Sequence, residues 1–171
     1  MDVQSQINLI KGKFPNEVLE NFATGTFVNA EKLKAICQFC RDNEELSMQV
    51  LTCMTAVDLG DHLELVYHLI SYSKKHDLVL KVTLPRDNAV IDSVESVWKT
   101  ADWQERECFD LFGVNFKNHP DLRRIMLPDD WQGHPLRKDY TPPTEYHGMS
   151  HTRKNPLIPE GQSATTENSN G

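Results

Sequence analysis

Ile7, Ile10 and Phe14 recur three or four positions apart, which sets them on one face of a helix, and Pro15 ends the run. A short strand is expected over residues 18–27, with Gly25 as a turn. Asn29 is the expected N-cap of a second helix running to about Asn43, with Leu33, Ile36, Cys37 and Cys40 on its buried face. Three strands follow, at 47–57, 62–72 and 77–84. The second alternates well, with Leu63, Leu65, Tyr67 and Leu69 on one face and Glu64, Val66, His68 and Ile70 on the other. The connectors Asp58–Asp61 and Ser73–His76 are short enough to imply antiparallel neighbours. Helices ahead of a meander predict an α+β fold: a two-layer domain of helices packed on a mostly antiparallel sheet.

Two short helices are expected next. Asp92-x-x-Glu95 and Asp102-x-x-Glu105 both read as capping boxes, in which an N-cap Asp and a third-position Glu satisfy the free N–H groups of a first turn. The first helix presents Val94, Val97 and Trp98; the second presents Cys108, Phe109 and Phe112, with Gly113 as a left-handed C-terminal residue. Turn signals then dominate: Asn118-His119-Pro120, Pro128-Asp129-Asp130 and Gly133-His134-Pro135. From Thr141 the chain is rich in proline and small polar residues. The expected organisation is one domain over 1–140, followed over 141–171 by an extended proline-containing arm and a disordered C-terminus.

Hydrophobic residues at 39% and charged residues at 25% of 171 suit a soluble domain large enough to bury a core. A net charge of −7 argues against general nucleic-acid binding, which needs a basic footprint. No run reaches the ~20 apolar residues of a membrane span, and the first residues, MDVQSQINLIKGK, lack signal- and transit-peptide character. A cytoplasmic protein is expected, touching a membrane only through partners. Cys37-x-x-Cys40 has no second close pair to complete a metal site, and both thiols continue an apolar stripe, so buried free thiols are expected.

The stretch ERECFDLFG, residues 105–113, is where chemistry would lie. Glu105 interrupts an apolar stripe and reads as a cap. Arg106 and Asp110, four apart, can pair along one helix face with Trp103 a turn earlier. Exposed, such a pair contributes under ~1 kcal/mol; covered, each charge depends on the other. One reading is a freestanding hydrolase using Glu105, Glu107 or Asp110. Acid–base work needs two carboxyls facing one cleft with separated pKa values, and no nucleophile, phosphate loop or metal set accompanies these. His119 and His134 precede prolines but lack a clear third metal ligand. Arg123, Arg124, Arg137 and Lys138 are balanced by Asp121, Asp129, Asp130 and Asp139, with Leu122, Ile125, Leu127 and Trp131 between. That mixture suits a protein–protein interface; the alternative is a loop folded over its own domain.

Glu105-Arg106-Glu107, Asp110-Leu111-Phe112, His119, Arg123 and Ile125-Met126 together resemble the signature of the respiratory complex I thirty-kilodalton subunit family. Gly133-His134-Pro135-Leu136-Arg137-Lys138-Asp139-Tyr140 resembles its second block. The resemblance implies the bacterial C-subunit type, in unfused form: a non-catalytic subunit in the peripheral arm of a proton-translocating NADH–quinone oxidoreductase. It would lie on the cytoplasmic side of the bacterial inner (plasma) membrane. No cofactor is implied in this chain; FMN, iron–sulfur clusters and quinone belong to partner subunits. The implied partners are the D subunit, of the forty-nine-kilodalton type, near the quinone site, and other peripheral-arm subunits. Related subunits occur in membrane-bound hydrogenases and other complexes with a donor other than NADH. No catalytic, cofactor or metal residue is carried over. The expected interface is Arg106, Asp110, His119, Arg123, Arg124, Arg137 and Lys138, with Phe112 and Trp131 as apolar anchors. Cys108, where many relatives carry an aromatic or aliphatic residue, should affect packing only.

Overall fold

A computed structural model describes residues 1–22 and 25–150. The chain divides into two compact units, 1–140 and 141–171. The disorder expected for the C-terminus falls on 151–171 and lies outside the described residues.

The first unit is built on a five-stranded mixed sheet in the order β1-β2-β5-β4-β3, from β1 (Val18–Phe22), β2 (Gly25–Val28), β3 (Val50–Asp58), β4 (His62–Ser71) and β5 (His76–Pro85). Every pairing is antiparallel except β2 with β5. Cross-strand rows explain the register: Leu51–Leu69–Leu78, Met54–Tyr67–Leu80, Ala56–Leu65–Val82 and Asp58–Leu63–Leu84 each align across β3, β4 and β5 on the buried face. Leu51 and Met54 are an odd number apart, so strict alternation would split them. A bulge between Leu51 and Cys53 restores their common face.

Helix α1 (Val3–Lys13) buries Ile7 and Ile10, and α2 (Leu33–Asp42) buries Leu33, Ile36, Cys37 and Cys40 in the same core. Asn29 does act as a cap, accepting from Glu31 N at 3.1 Å, but it caps a short 3-10 turn over Ala30–Lys32 that leads into α2. The single strand expected at 18–27 is two strands.

The helix expected at 92–98 does not form. Residues 90–92 make a short strand, β6 (Val90–Asp92), parallel to β7 (Asn115–Lys117), and only a turn follows. The intended faces are still buried: Val94, Val97 and Trp98 pack in the core, and Trp98 Nε1 donates to Met48 O at 3.0 Å. Helix α3 (Ala101–Phe112) follows and ends as expected at Gly113, whose φ of 73° is left-handed. The domain is thus the expected α+β architecture.

In the second unit the described residues form a tight hairpin, β8 (Glu145–Tyr146) with β9 (Met149–Ser150). His147 and Gly148 both have positive φ, 49° and 76°, as a two-residue turn matched to strand twist requires. An extended arm does not describe residues 145–150.

Candidate functional site

Helix α3 lies along the edge strand β3 and covers its free carbonyls. Thr100 Oγ1 donates to Leu51 O at 3.0 Å and Gln104 Nε2 to Thr52 O at 3.4 Å. Neither expected capping box exists. The N-cap of α3 is Thr100 without a side-chain bond, and Ser93, not Asp92, accepts the Glu95 N–H, at 3.1 Å. Glu105 turns away from its own helix into the core. It is fully buried, accepting from Ser93 Oγ at 2.6 Å and from Val94 N at 2.7 Å. Burial raises its carboxyl to about 7, against the opposing pull of these two donors. His119, its ring also buried, has Nδ1 accepting from Asp121 N at 3.1 Å; Nε2 therefore carries the proton, 3.2 Å from Asp102 O and 3.9 Å from Glu105 Oε2.

Asp110 is the hub of the first block. Its Oδ2 accepts three successive backbone N–H groups, from Ile125 at 3.0 Å, Met126 at 2.8 Å and Leu127 at 2.9 Å. Its Oδ1 accepts from Arg124 Nη1 at 2.8 Å. Burial alone would raise this carboxyl, but the three amides and the guanidinium outweigh it and hold the group below the usual carboxylate range. Arg124 reaches on from there to Gly133 O at 3.2 Å. Residues 124–127 are thereby clamped onto α3.

The second block closes the C-terminal end of the same helix, whose last carbonyls have no partner inside it. His134 Nδ1 donates to Asp110 O at 2.8 Å, Leu136 N to Leu111 O at 3.1 Å and Arg137 Nε to Phe112 O at 2.6 Å. The Arg137 charge also suits the negative end of the helix dipole. A Cβ on Gly113 would stand 2.6 Å from the His134 ring, so glycine is needed for space as well as for φ. Lys138 N donates to Asp58 Oδ2 at 2.8 Å, and Trp131 Nε1 to Tyr140 Oη at 3.0 Å.

The expected Arg106–Asp110 pair is not made: Asp110 takes Arg124, while Arg106 donates to Arg123 O at 3.3 Å and lies 5.2 Å from the Trp103 ring centroid. Asp110, Arg124, Arg137, His119 and the backbone of Lys138 spend their bonds inside the unit, and Phe112 is core. The loop-over-its-own-domain alternative therefore describes much of 118–140. What faces outward is Arg123, the Lys138 side chain and three large apolar residues, Trp103, Met126 and Leu136, at 64%, 61% and 52% exposure. Glu105 and Asp110 are sealed and Glu107 is exposed, so the three carboxylates do not share a cleft. Among the described residues no three His, Cys, Asp or Glu side chains group to hold a metal ion, and no helix is long and apolar enough to cross a membrane.

Residues 26–146 match the family described as the respiratory-chain NADH dehydrogenase 30 kDa subunit. The chain belongs to that family. The NADH-quinone oxidoreductase C subunit of Geobacter sulfurreducens is 49% identical over 117 residues, covering 66% of this chain and 71% of that protein. The corresponding C subunit of Chloroherpeton thalassium is 42% identical over 82% of this chain, which spans 62% of that relative's length. The C subunit of the F(420)H(2) dehydrogenase of Methanosarcina mazei is 40% identical over 82% of this chain and 92% of its own. Among solved structures, a chain of an archaeal membrane-bound sulfane sulfur reductase superposes with a TM-score of 0.67 at 25% identity, covering 81% of this chain and 85% of that one. A trypsin-resistant fragment of Nqo5 gives 0.55 at 20% identity, covering 71% of this chain and all of the fragment, and supports the fold alone. The two family blocks quoted above, 105–126 and 133–140, lie inside the matched span.

Proposed function

We propose that this chain is a non-catalytic structural subunit of the peripheral arm of a proton-translocating NADH–quinone oxidoreductase. It docks on the D subunit near the quinone site, on the cytoplasmic side of a bacterial inner membrane. The observation that carries this reading is the division of labour around α3. Asp110, Arg124 and Arg137 are consumed in clamping segments of 118–140 to the helix, while Trp103, Met126 and Leu136 are left exposed. A rigid surface with exposed aromatic, Met and Arg residues is what a protein partner covers at low ordering cost. In this reading flavin, iron–sulfur clusters and quinone belong to neighbouring subunits, and this chain contributes geometry. A freestanding hydrolase is disfavoured because its carboxylates do not face one cleft: Glu105 and Asp110 are sealed and Glu107 is exposed.

The test is recovery of an affinity-tagged full chain from solubilised membranes. The D subunit is expected to come with it; recovery of other subunits without that one would overturn the docking assignment. A second reading, a complex that takes electrons from a donor other than NADH, is favoured by the 40% identity to a F(420)H(2) dehydrogenase subunit over 92% of its length. Oxidation of NADH by the recovered complex distinguishes the two.

A further inference from the structure

Arg106 is only 5% exposed, yet among the described residues its guanidinium has a single acceptor, Arg123 O at 3.3 Å from Nε. Among the described residues neither Nη nitrogen has a hydrogen-bond partner, and no carboxylate lies within ion-pair range of the group. Neither Nη nitrogen is sealed from solvent. The unfilled donors thus stand at the surface. The exposed Trp103 ring lies 5.2 Å from the guanidinium carbon. On the segment whose Arg123 carbonyl takes the one bond, Asp121 is already engaged by Arg123 Nε at 2.9 Å. Asp121 is thus spent on Arg123, and Arg106 is left without a carboxylate partner among the described residues.

A guanidinium carries five N–H donors, and desolvating it with most of them unmet is costly. Its planar fork matches a carboxylate in two parallel bonds. The exposed Trp103 ring beside it is apolar and would be covered by a protein side chain's surroundings rather than by a free anion's water. We propose that Arg106 is the receptor for an aspartate or glutamate side chain of the subunit that docks on this face, with the Trp103 ring as the wall of the socket. This rests on the docking reading above and names the chemistry of its centre.

The experiment uses the full chain in its complex. Arg106→Lys places an amine at the socket, and a water-soluble carbodiimide joins that amine to any carboxylate in contact with it; mass spectrometry then locates the link. A link from position 106 to an aspartate or glutamate of another subunit is expected. A link only to Asp102, Asp121 or a carboxylate in residues 151–171 of this chain, or no link at all, overturns the proposal. In parallel, Arg106→Gln is expected to cut recovery of the docked subunit tenfold or more in raised salt, and Trp103→Ala severalfold. Recovery of Arg106→Gln complex equal to wild type overturns it. If the Arg106→Gln chain fails to accumulate, the linkage result decides. Should the wild-type chain bring down other subunits but no D subunit, the docking assignment falls while a link to whichever subunit is present still supports the socket.

Discussion

The carboxylate of Asp110 and the backbone amide of Met126 are 2.8 Å apart, and the amides on either side of Met126 converge on the same oxygen. Three consecutive N–H groups aimed at one buried anion fix the path of a segment that has no regular structure of its own. Arg124, from that segment, neutralises the other oxygen. Asp110 therefore does for residues 124–127 what a strand pairing does elsewhere in the sheet.

Asp110→Asn leaves one acceptor oxygen and turns an amide N–H₂ toward groups that are themselves donors. A loss of about 3–5 kcal/mol is expected, the range for breaking a buried charged pair. Urea unfolding of the purified chain measures it, and amide exchange at Ile125, Met126 and Leu127 should accelerate more than exchange in β4. Wild-type exchange at these three amides would refute the anchoring role.

Gly113→Ala strains a left-handed residue and drives a methyl against the His134 ring. A loss of about 1–3 kcal/mol is expected from the backbone alone. The His134–Asp110 carbonyl bond should break, making 133–140 the first segment cut in limited proteolysis. His134→Ala should expose the same segment without the backbone strain, which separates the two contributions.

The centre of the sheet was legible because β4 and β5 alternate along their length, whereas the bulge in β3 was not, and α2 was legible because its apolar face repeats at helical spacing. The capping boxes failed for a physical reason. Asp-x-x-Glu is a local signal, and its Glu caps its own helix only when no better donors lie within reach. Glu105 finds Ser93 and Val94 across the core instead, and the preceding residues join β6 to β7. The family blocks fall on α3 and on the segments bonded to it, but they do not give the partners within the fold. Arg106 and Asp110 are four apart and seemed made for each other, whereas the fold gives Asp110 to Arg124, fourteen positions away. The bond from Lys138 N to Asp58 spans 80 positions, and nothing in either neighbourhood announces it.

Thiol chemistry checks the core. Cys37, Cys40 and Cys108 are buried, and burial pushes the last two up to about 12 and Cys37 well above its usual value, while Cys53 is exposed. In the purified native chain only Cys53 should react promptly with a thiol reagent. The other three should label only as the fold opens. Two fast thiols would mean that α2 or α3 sits differently.

Asp58 governs the acid side of the stability profile. The Lys138 amide is the main force holding its carboxyl down, at about 2; Arg86 and the Gly60 amide add to this against burial. A carboxyl depressed in the folded state stabilises above its unfolded value near 4, and that contribution disappears as pH falls toward 2. Its size is about 2 kcal/mol. Asp58→Asn should therefore cost stability at pH 6 and clearly less at pH 2.5, with 137–140 released at the higher pH. Equal losses at both pH values would argue that packing, not the ionised carboxylate, holds the segment.

Glu105 works in the opposite sense. Its folded carboxyl is raised to about 7, chiefly by burial, with the charges of Glu95 and Asp102 adding to it. Between about 4.5 and 7 the unfolded chain has already lost this proton while the folded chain keeps it, so stability must fall as pH rises through that window. The fall amounts to at most on the order of 3 kcal/mol, and above pH 7 the penalty is constant. Glu105→Gln keeps an acceptor for Val94 N and cannot ionise. Its unfolding free energy, from urea titrations at pH 5, 6, 7 and 8, should lack the decline seen in wild type, leaving the variant the more stable of the two at pH 8. The diagnostic is the difference between the two curves. A difference flat from pH 5 to 8 would mean that Glu105 is ionised throughout, stabilised by Ser93, Val94 and His119 despite its burial.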